Sequence, residues 1–240
     1  MKTIAFSILL VAVIFTTTGF IPGDETIITK NEFETLLKKT SSYFSSGEYS
    51  YKATYKSFIG HTSTKIADQF DGLMIRKGDL MFCKLPGNYC LQNEKVRLQV
   101  LDEEKEIYIV DPDFYFKDAV DWDIYETQMK DVLAIRRSAY GAGTSLILEM
   151  SESSEYEKQQ IILSQTGIVE KVILFYREDI SENQQGDQAR LEVSYHDMKN
   201  SATLSYGQRV EDFVKLNGKQ YGLQKKYSGF ELIDYRFASK

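Results

Sequence analysis

The stretch Tyr49-Ser50-Tyr51-Lys52-Ala53-Thr54-Tyr55-Lys56 decides the fold class. Tyr49, Tyr51, Ala53 and Tyr55 alternate with Ser50, Lys52, Thr54 and Lys56, so one face is aromatic and the other polar. A period of two with one wet face is the pattern of a strand in an antiparallel sheet. Just upstream, Asn31 with Glu34 makes a capping-box pattern. Phe33, Leu36, Leu37, Thr40 and Phe44 then recur at helical spacing, and Gly47 supplies a stop. Downstream, Ile66–Ile75, Asp79–Leu85, Tyr89–Gln92, Lys95–Leu101 and Glu106–Val110 read as strands. Their connections are too short for parallel crossovers, so they form a meander.

A second helix is expected over Trp122–Ser138, capped by Asp121 or Asp123. Tyr125, Met129, Val132, Leu133 and Arg136 mark one face, Arg136 and Arg137 meet the helix dipole in the last turn, and Gly141 or Gly143 ends it. A second meander follows, with strands at Thr144–Met150, Lys158–Ser164, Ile168–Arg177 and Ala189–Met198, and with Glu178–Gln188 as a polar hairpin loop. The tail, Thr203–Phe237, holds three or four more short strands around Gly207, Asn217-Gly218 and Ser228-Gly229. The expected fold class is mainly β (α+β): one domain over 20–240, with ten or more antiparallel strands, two principal helices and a strand extension after about residue 200.

Composition narrows the function. The chain has 240 residues, 13% of them aromatic, with 16 Tyr and 14 Phe but only 2 His and 2 Cys. So many aromatics exclude a disordered chain. So few His and Cys exclude a four-ligand zinc site and a disulfide-dense scaffold. A formal net charge of −6 argues against nucleic-acid binding. Lys2, the apolar run Ile4–Phe15 and the small polar residues Thr16 to Gly19 have the order of a secretory signal, with cleavage expected near Gly19 or Phe20. The run is too short to span a bilayer, which takes about 20 residues. The mature chain is therefore expected outside the cytoplasm.

Cys83 and Cys90 flank Leu85-Pro86-Gly87-Asn88, a strong turn signal. If Pro86 and Gly87 form the loop, Cys83 faces Cys90 across the hairpin. An exported chain can oxidise such a pair, and the alternative is two buried thiols. No nucleophile elbow, zincin helix or phosphate loop is present. His61 and His196 read as polar surface residues, and no catalytic residue is assigned. Asp111, Asp113, Asp118, Asp121 and Asp123 lack the glycine and closing glutamate of a calcium loop and read as turn and cap residues. No metal or cofactor is expected. Phe114, Tyr115, Phe116 and Trp122 interleave that stretch, and either fasten the second helix to the sheet or form part of a lid over an apolar cavity.

Asp71-Gly72-Leu73-Met74-Ile75-Arg76-Lys77, the hairpin Val100-Leu101-Asp102 to Ile107-Tyr108-Ile109-Val110-Asp111-Pro112, and Gln165-Thr166-Gly167-Ile168-Val169 with Ala189–Asn200 together resemble the periplasmic outer-membrane lipoprotein carrier family (LolA-like). The resemblance covers roughly residues 31–200. It implies a strongly curved antiparallel sheet, an incomplete barrel closed by helices, with an apolar hollow for acyl chains. It implies a periplasmic, non-enzymatic carrier whose partners are lipid acyl chains or lipoproteins. On that fold the expected lining is Tyr51, Tyr55, Leu98, Val100, Ile107, Ile109, Trp122, Met129 and Leu133, each of which can equally be ordinary core. The alternative function is an envelope protein-interaction module on the same scaffold with a filled cavity.

Overall fold

The computed structural model describes residues 25–112, 129–177, 189–218 and 220–237. The expected signal segment, the link from Asp113 through Trp122 and Asp123, and the Glu178–Gln188 loop lie outside the described residues.

The elements in chain order are β1 (Thr26–Ile27), α1 (Lys30–Ser45), β2 (Glu48–Ile59), β3 (Ile66–Lys77), β4 (Leu80–Leu85), β5 (Asn88–Gln92), β6 (Arg97–Leu101), β7 (Glu106–Val110), β8 (Val132–Tyr140), β9 (Gly143–Met150), β10 (Tyr156–Leu163), β11 (Val169–Tyr176), β12 (Ala189–Lys199), β13 (Val214–Asn217), β14 (Gln220–Leu223) and β15 (Glu231–Asp234). Thirteen strands make one curved sheet that does not close, in the order β1-β8-β9-β10-β11-β12-β2-β3-β4-β5-β6-β7-β15. The two meanders join where β12 pairs with β2, and β13 and β14 form a separate hairpin.

The first helix is present, with its cap two residues earlier than expected. Thr29 is the N-cap: its hydroxyl accepts from the Glu32 N–H at 3.3 Å, and the Glu32 carboxylate accepts from the Thr29 N–H at 2.7 Å. Gly47, at φ 75°, reverses the chain into β2, a conformation that favours glycine. Thr40 pins the helix to the β10–β11 turn, donating to the Gly167 carbonyl and accepting from the Val169 N–H.

Met129 is helical, but from Val132 on the expected second helix is a strand. Val132–Tyr140 is β8, held between β1 and β9. Gly141 and Gly143 were expected to end a helix. Gly141 instead turns a tight hairpin at φ 54°, and Gly143 pairs with Tyr140 at the start of β9. A Cβ on Gly143 would lie 2.0 Å from the Leu163 carbonyl oxygen, so only glycine fits where β10 crosses. Arg136 meets Glu149 on the neighbouring strand, Nε to Oε1 2.6 Å, rather than a helix terminus. Cross-strand pairing outweighs a helical spacing of apolar residues that a single window cannot tell from a strand.

The tail departs from the all-antiparallel expectation at one point. After β12 the chain crosses the sheet, forms the β13–β14 hairpin, and returns as β15 parallel to β7. More than thirty residues lie between β12 and β15, enough for a parallel crossover.

Side chains alternate across each strand, so pairing assigns every residue to a face. On one face of the first meander, Ile75, Phe82, Leu91, Leu98 and Ile109 stand in a row across β3 to β7. Ala202, Leu204, Val210, Phe213, Val214 and Tyr227 of the tail pack on them. This is the tail face. On the opposite face α1 lies over the second meander, where Phe33 packs with Ile135, Leu146, Leu148 and Leu163. This is the helix face.

Candidate binding face

The nine expected lining residues separate. Leu98, Val100, Ile107 and Ile109 are on the tail face with no exposed surface, in close packing under the tail. Tyr51 and Tyr55 are on the helix face, because they alternate with the polar residues of β2 and share a side with Tyr49, which meets α1 through Phe44. Met129 packs beside the α1 cluster, also on the helix side. Leu133 is 72% exposed at an irregularity in β8, where Val132 pairs with Met150 and Ala134 with Glu149. It therefore points away from any lid. Trp122 lies outside the described residues. No one cavity holds all nine, because the sheet stands between the two groups.

The helix face of the first meander carries a row of its own. Tyr51 pairs with Met74, Met74 with Cys83, Cys83 with Cys90, and Cys90 with Gln99. Two positions along, the cross-strand row is Tyr195, Ala53 and Gly72, and beyond it Val193, Tyr55 and Phe70. The rings touch: Tyr51 meets Phe44 edge-on at 5.9 Å and Tyr195 edge-on at 5.5 Å, and Tyr55 stacks on Phe70 at 4.8 Å. Gly72 lets two of these neighbours close in, since a Cβ there would stand 3.1 Å from both the Tyr55 ring and the Leu85 side chain. Ala53 is 2% exposed, whereas Tyr51, Tyr55, Phe70, Met74 and Tyr195 are half-buried. The result is an aromatic and thioether floor whose small residues lie low and whose large residues keep part of their surface uncovered.

Burial dominates the electrostatics of this floor. It pushes the Tyr51 phenol far above its ordinary value, and the Tyr195 phenol up to about 12, with Tyr55 beside it adding to the rise. Tyr55 is raised for the same reason, with Cys83 contributing. Cys83 is pushed up to about 11 by burial and then by Cys90. Desolvation that disfavours charge is what raises an acid's pKa. The Cys83–Cys90 register is the one read from the turn, and the two sulfurs are not bonded to one another. Arg97 Nε donates to Cys90 Sγ at 3.2 Å.

His61 donates from Nε2 to the Tyr176 carbonyl at 2.8 Å and sits edge-on to Phe175, and His196 is exposed on β12. Among the described residues no group of three acidic, cysteine or histidine side chains is placed to hold a metal. Sequence reasoning missed Tyr195, Phe70, Met74 and Gly72. Their alternation is visible in β12 and β3, but only the pairing of those strands with β2 brings them to Tyr51 and Tyr55.

No protein-family model matches the sequence, and no match is found among curated proteins. Solved structures are similar to the chain. An uncharacterized conserved protein from Thermus thermophilus aligns over 85% of this chain and 99% of its own, at 10% identity and TM-score 0.45. A LolA superfamily protein from Nitrosomonas europaea aligns over 72% and 94%, at 12% identity and TM-score 0.32. The lipoprotein LppX of Mycobacterium tuberculosis aligns over 74% and 100%, at 6% identity and TM-score 0.35.

Proposed function

We propose that the protein is an exported, non-enzymatic carrier that holds acyl chains of lipids or lipoproteins against the helix face of its sheet. One observation carries this reading. The tail face of the first meander is sealed at β5 to β7, with Leu91, Leu98, Val100, Ile107 and Ile109 wholly buried, while the helix face of β12, β2 and β3 keeps a half-buried floor of Tyr51, Tyr55, Phe70, Met74 and Tyr195. An apolar surface that the protein's own core leaves partly uncovered is suited to an apolar ligand. Each methylene taken from water would contribute about 0.8 kcal/mol. The signal-like start and the resemblance read from the sequence both support a location outside the cytoplasm.

A gentle purification followed by lipid extraction and mass spectrometry tests the reading, with titration by the apolar fluorophore N-phenyl-1-naphthylamine on the lipid-stripped protein. Co-purified acyl lipid and saturable fluorophore binding are expected. Protein that yields no lipid and binds no fluorophore overturns the reading. It would leave an envelope interaction module as the better account, one that the tail's filling of the opposite face also suits.

A further inference from the structure

Resting on the carrier reading, we infer that Tyr51, Tyr55 and Tyr195 make the floor selective for neutral acyl esters and amides over ionised fatty acids. The three rings surround Ala53: Tyr51 and Tyr55 lie two positions away on β2, and Tyr195 stands directly opposite on β12. Tyr51 and Tyr195 touch edge-on, and Tyr55 leans over Gly72, which pairs with Ala53 on the other side. None of the three hydroxyls makes a hydrogen bond within the described residues. Elsewhere the chain spends such groups on itself. The Tyr43 hydroxyl lies between the carbonyls of Lys199 and Ser50, and that of Tyr108 reaches Glu106. Three proton donors in an aromatic floor without internal partners suit a ligand that brings a carbonyl with it.

The charges nearby decide which carbonyl. The residues paired directly with Tyr51, Ala53 and Tyr55 are Met74, Gly72, Phe70, Tyr195 and Val193, none of them cationic, and the nearest cation in the register is Arg76, opposite Tyr49. The guanidinium groups on the same face act at its margins. Arg76 bonds the Tyr49 phenol and donates to the Gly78 carbonyl, and Arg97 donates to Cys90. The groups that act on Tyr51, Tyr55 and Tyr195 are other phenols and the Cys83 thiol. An ionised carboxylate brought here would lose its water without gaining a counter-charge, which is far more costly than burying an ester that accepts from a phenol. Because burial keeps these phenols protonated, they remain donors throughout the physiological range.

The test is displacement of N-phenyl-1-naphthylamine from lipid-stripped protein by methyl oleate and by oleate at pH 8, with vesicle-free controls below the solubility limit of each. Methyl oleate is expected to displace the fluorophore at concentrations at least tenfold lower. In the double variant Tyr51→Phe with Tyr195→Phe, the fluorophore is still expected to bind. The methyl oleate dissociation constant should rise about 3- to 10-fold per hydroxyl that contacts the ester, while oleate changes little. Equal displacement by the two, or preference for oleate, overturns the selectivity and leaves the carrier reading standing. An unchanged ester preference in a folded double variant overturns the assignment to these tyrosines. A protein that binds neither fluorophore nor ester overturns both readings together.

Discussion

The row Ile75–Phe82–Leu91–Leu98–Ile109 and the row Tyr51–Met74–Cys83–Cys90–Gln99 run back to back across β3 to β6 and meet different fates. The first is aliphatic with one phenylalanine, and the tail covers it until no member is more than 7% exposed. The second mixes phenol, thioether, thiol and amide, and its first four members stay half-buried. Both obey the same alternation of strands. What differs is the covering element. Where the chain supplies a tail with Val210, Phe213 and Tyr227 the face becomes core, and where it leaves an aromatic floor the face stays half-buried.

The largest effect should come from breaking the sealed side. Phe213 is 3% exposed, stacks on Tyr227 at 4.6 Å and leans on Tyr89 at 6.4 Å. Phe213→Ala should destabilise the protein by about 3–5 kcal/mol, as large-to-small changes in a closed core do, measured by urea unfolding. A loss below about 1 kcal/mol would mean that the tail is only loosely laid on the sheet, and the contrast between the faces would collapse.

A second effect distinguishes the floor from ordinary surface. With its pKa pushed up to about 11, the Cys83 thiol is almost wholly protonated at pH 8. Since the thiolate is the nucleophile, iodoacetamide should alkylate Cys83 in the reduced, folded protein on the order of a hundredfold more slowly than a free cysteine. The rate should climb as pH rises towards the raised value, and unfolding in urea should abolish the difference. Alkylation at the free-cysteine rate in the folded state would show a wet floor.

Much of this contrast could be read in the amino-acid sequence, and the part that could not has a definite cause. The alternation Tyr49-Tyr51-Ala53-Tyr55 places the strand, and Pro86-Gly87 sets the register that brings Cys83 opposite Cys90, because turns and period-two patterns are local. The sidedness of Leu98 and Ile107 was out of reach. Their alternation shows that one face of β6 and β7 is buried, but the burying residues stand about a hundred positions later, in the tail. The same non-locality hid the parallel return of β15 and the strand nature of Val132–Tyr140, whose partners are β1 and β9. For the site, Tyr51 and Tyr55 were legible from their own strand, whereas Tyr195 and Phe70 become neighbours only through pairing.

A pair of hydroxyl deletions sharpens the comparison at smaller scale. Tyr43 is 8% exposed and its hydroxyl oxygen lies 2.6 Å from the Lys199 carbonyl and 3.0 Å from the Ser50 carbonyl, either of which can accept its proton, tying α1 to the end of β12. Tyr43→Phe should cost about 1–2 kcal/mol, since it also strands buried acceptors. Tyr51→Phe removes a hydroxyl with no partner among the described residues and should leave stability within about 0.5 kcal/mol of the parent. Equal costs at the two positions would show that the Tyr51 hydroxyl serves the fold rather than a guest.

The smallest effect concerns the edge where the tail is fastened. Asp234, at the end of β15, is held below the usual carboxylate value by the Arg236 side chain, Nε to Oδ1 2.9 Å. The same guanidinium lies over the Tyr221 ring at 4.7 Å, and Tyr235 stacks on Tyr108 at 5.7 Å, so this pair joins the edge strand, the β13–β14 hairpin and β7. A carboxylate whose pKa is lowered on folding stabilises the fold above its ordinary value near 3.8, and that contribution disappears as pH falls through the lowered value. The two groups are only two residues apart at the sheet edge, and such a local ion pair is worth about 1 kcal/mol or less. Asp234→Asn should therefore lower stability at pH 7 by a few tenths of a kcal/mol, with the difference from the parent vanishing as pH falls through the lowered carboxyl value. Because Tyr221 and Tyr108 hold the edge by stacking, the variant should keep its unfolding cooperative. A loss of cooperativity, with the tail melting apart from the sheet, would show that this partly buried pair, rather than the buried row beneath the tail, keeps the first face closed.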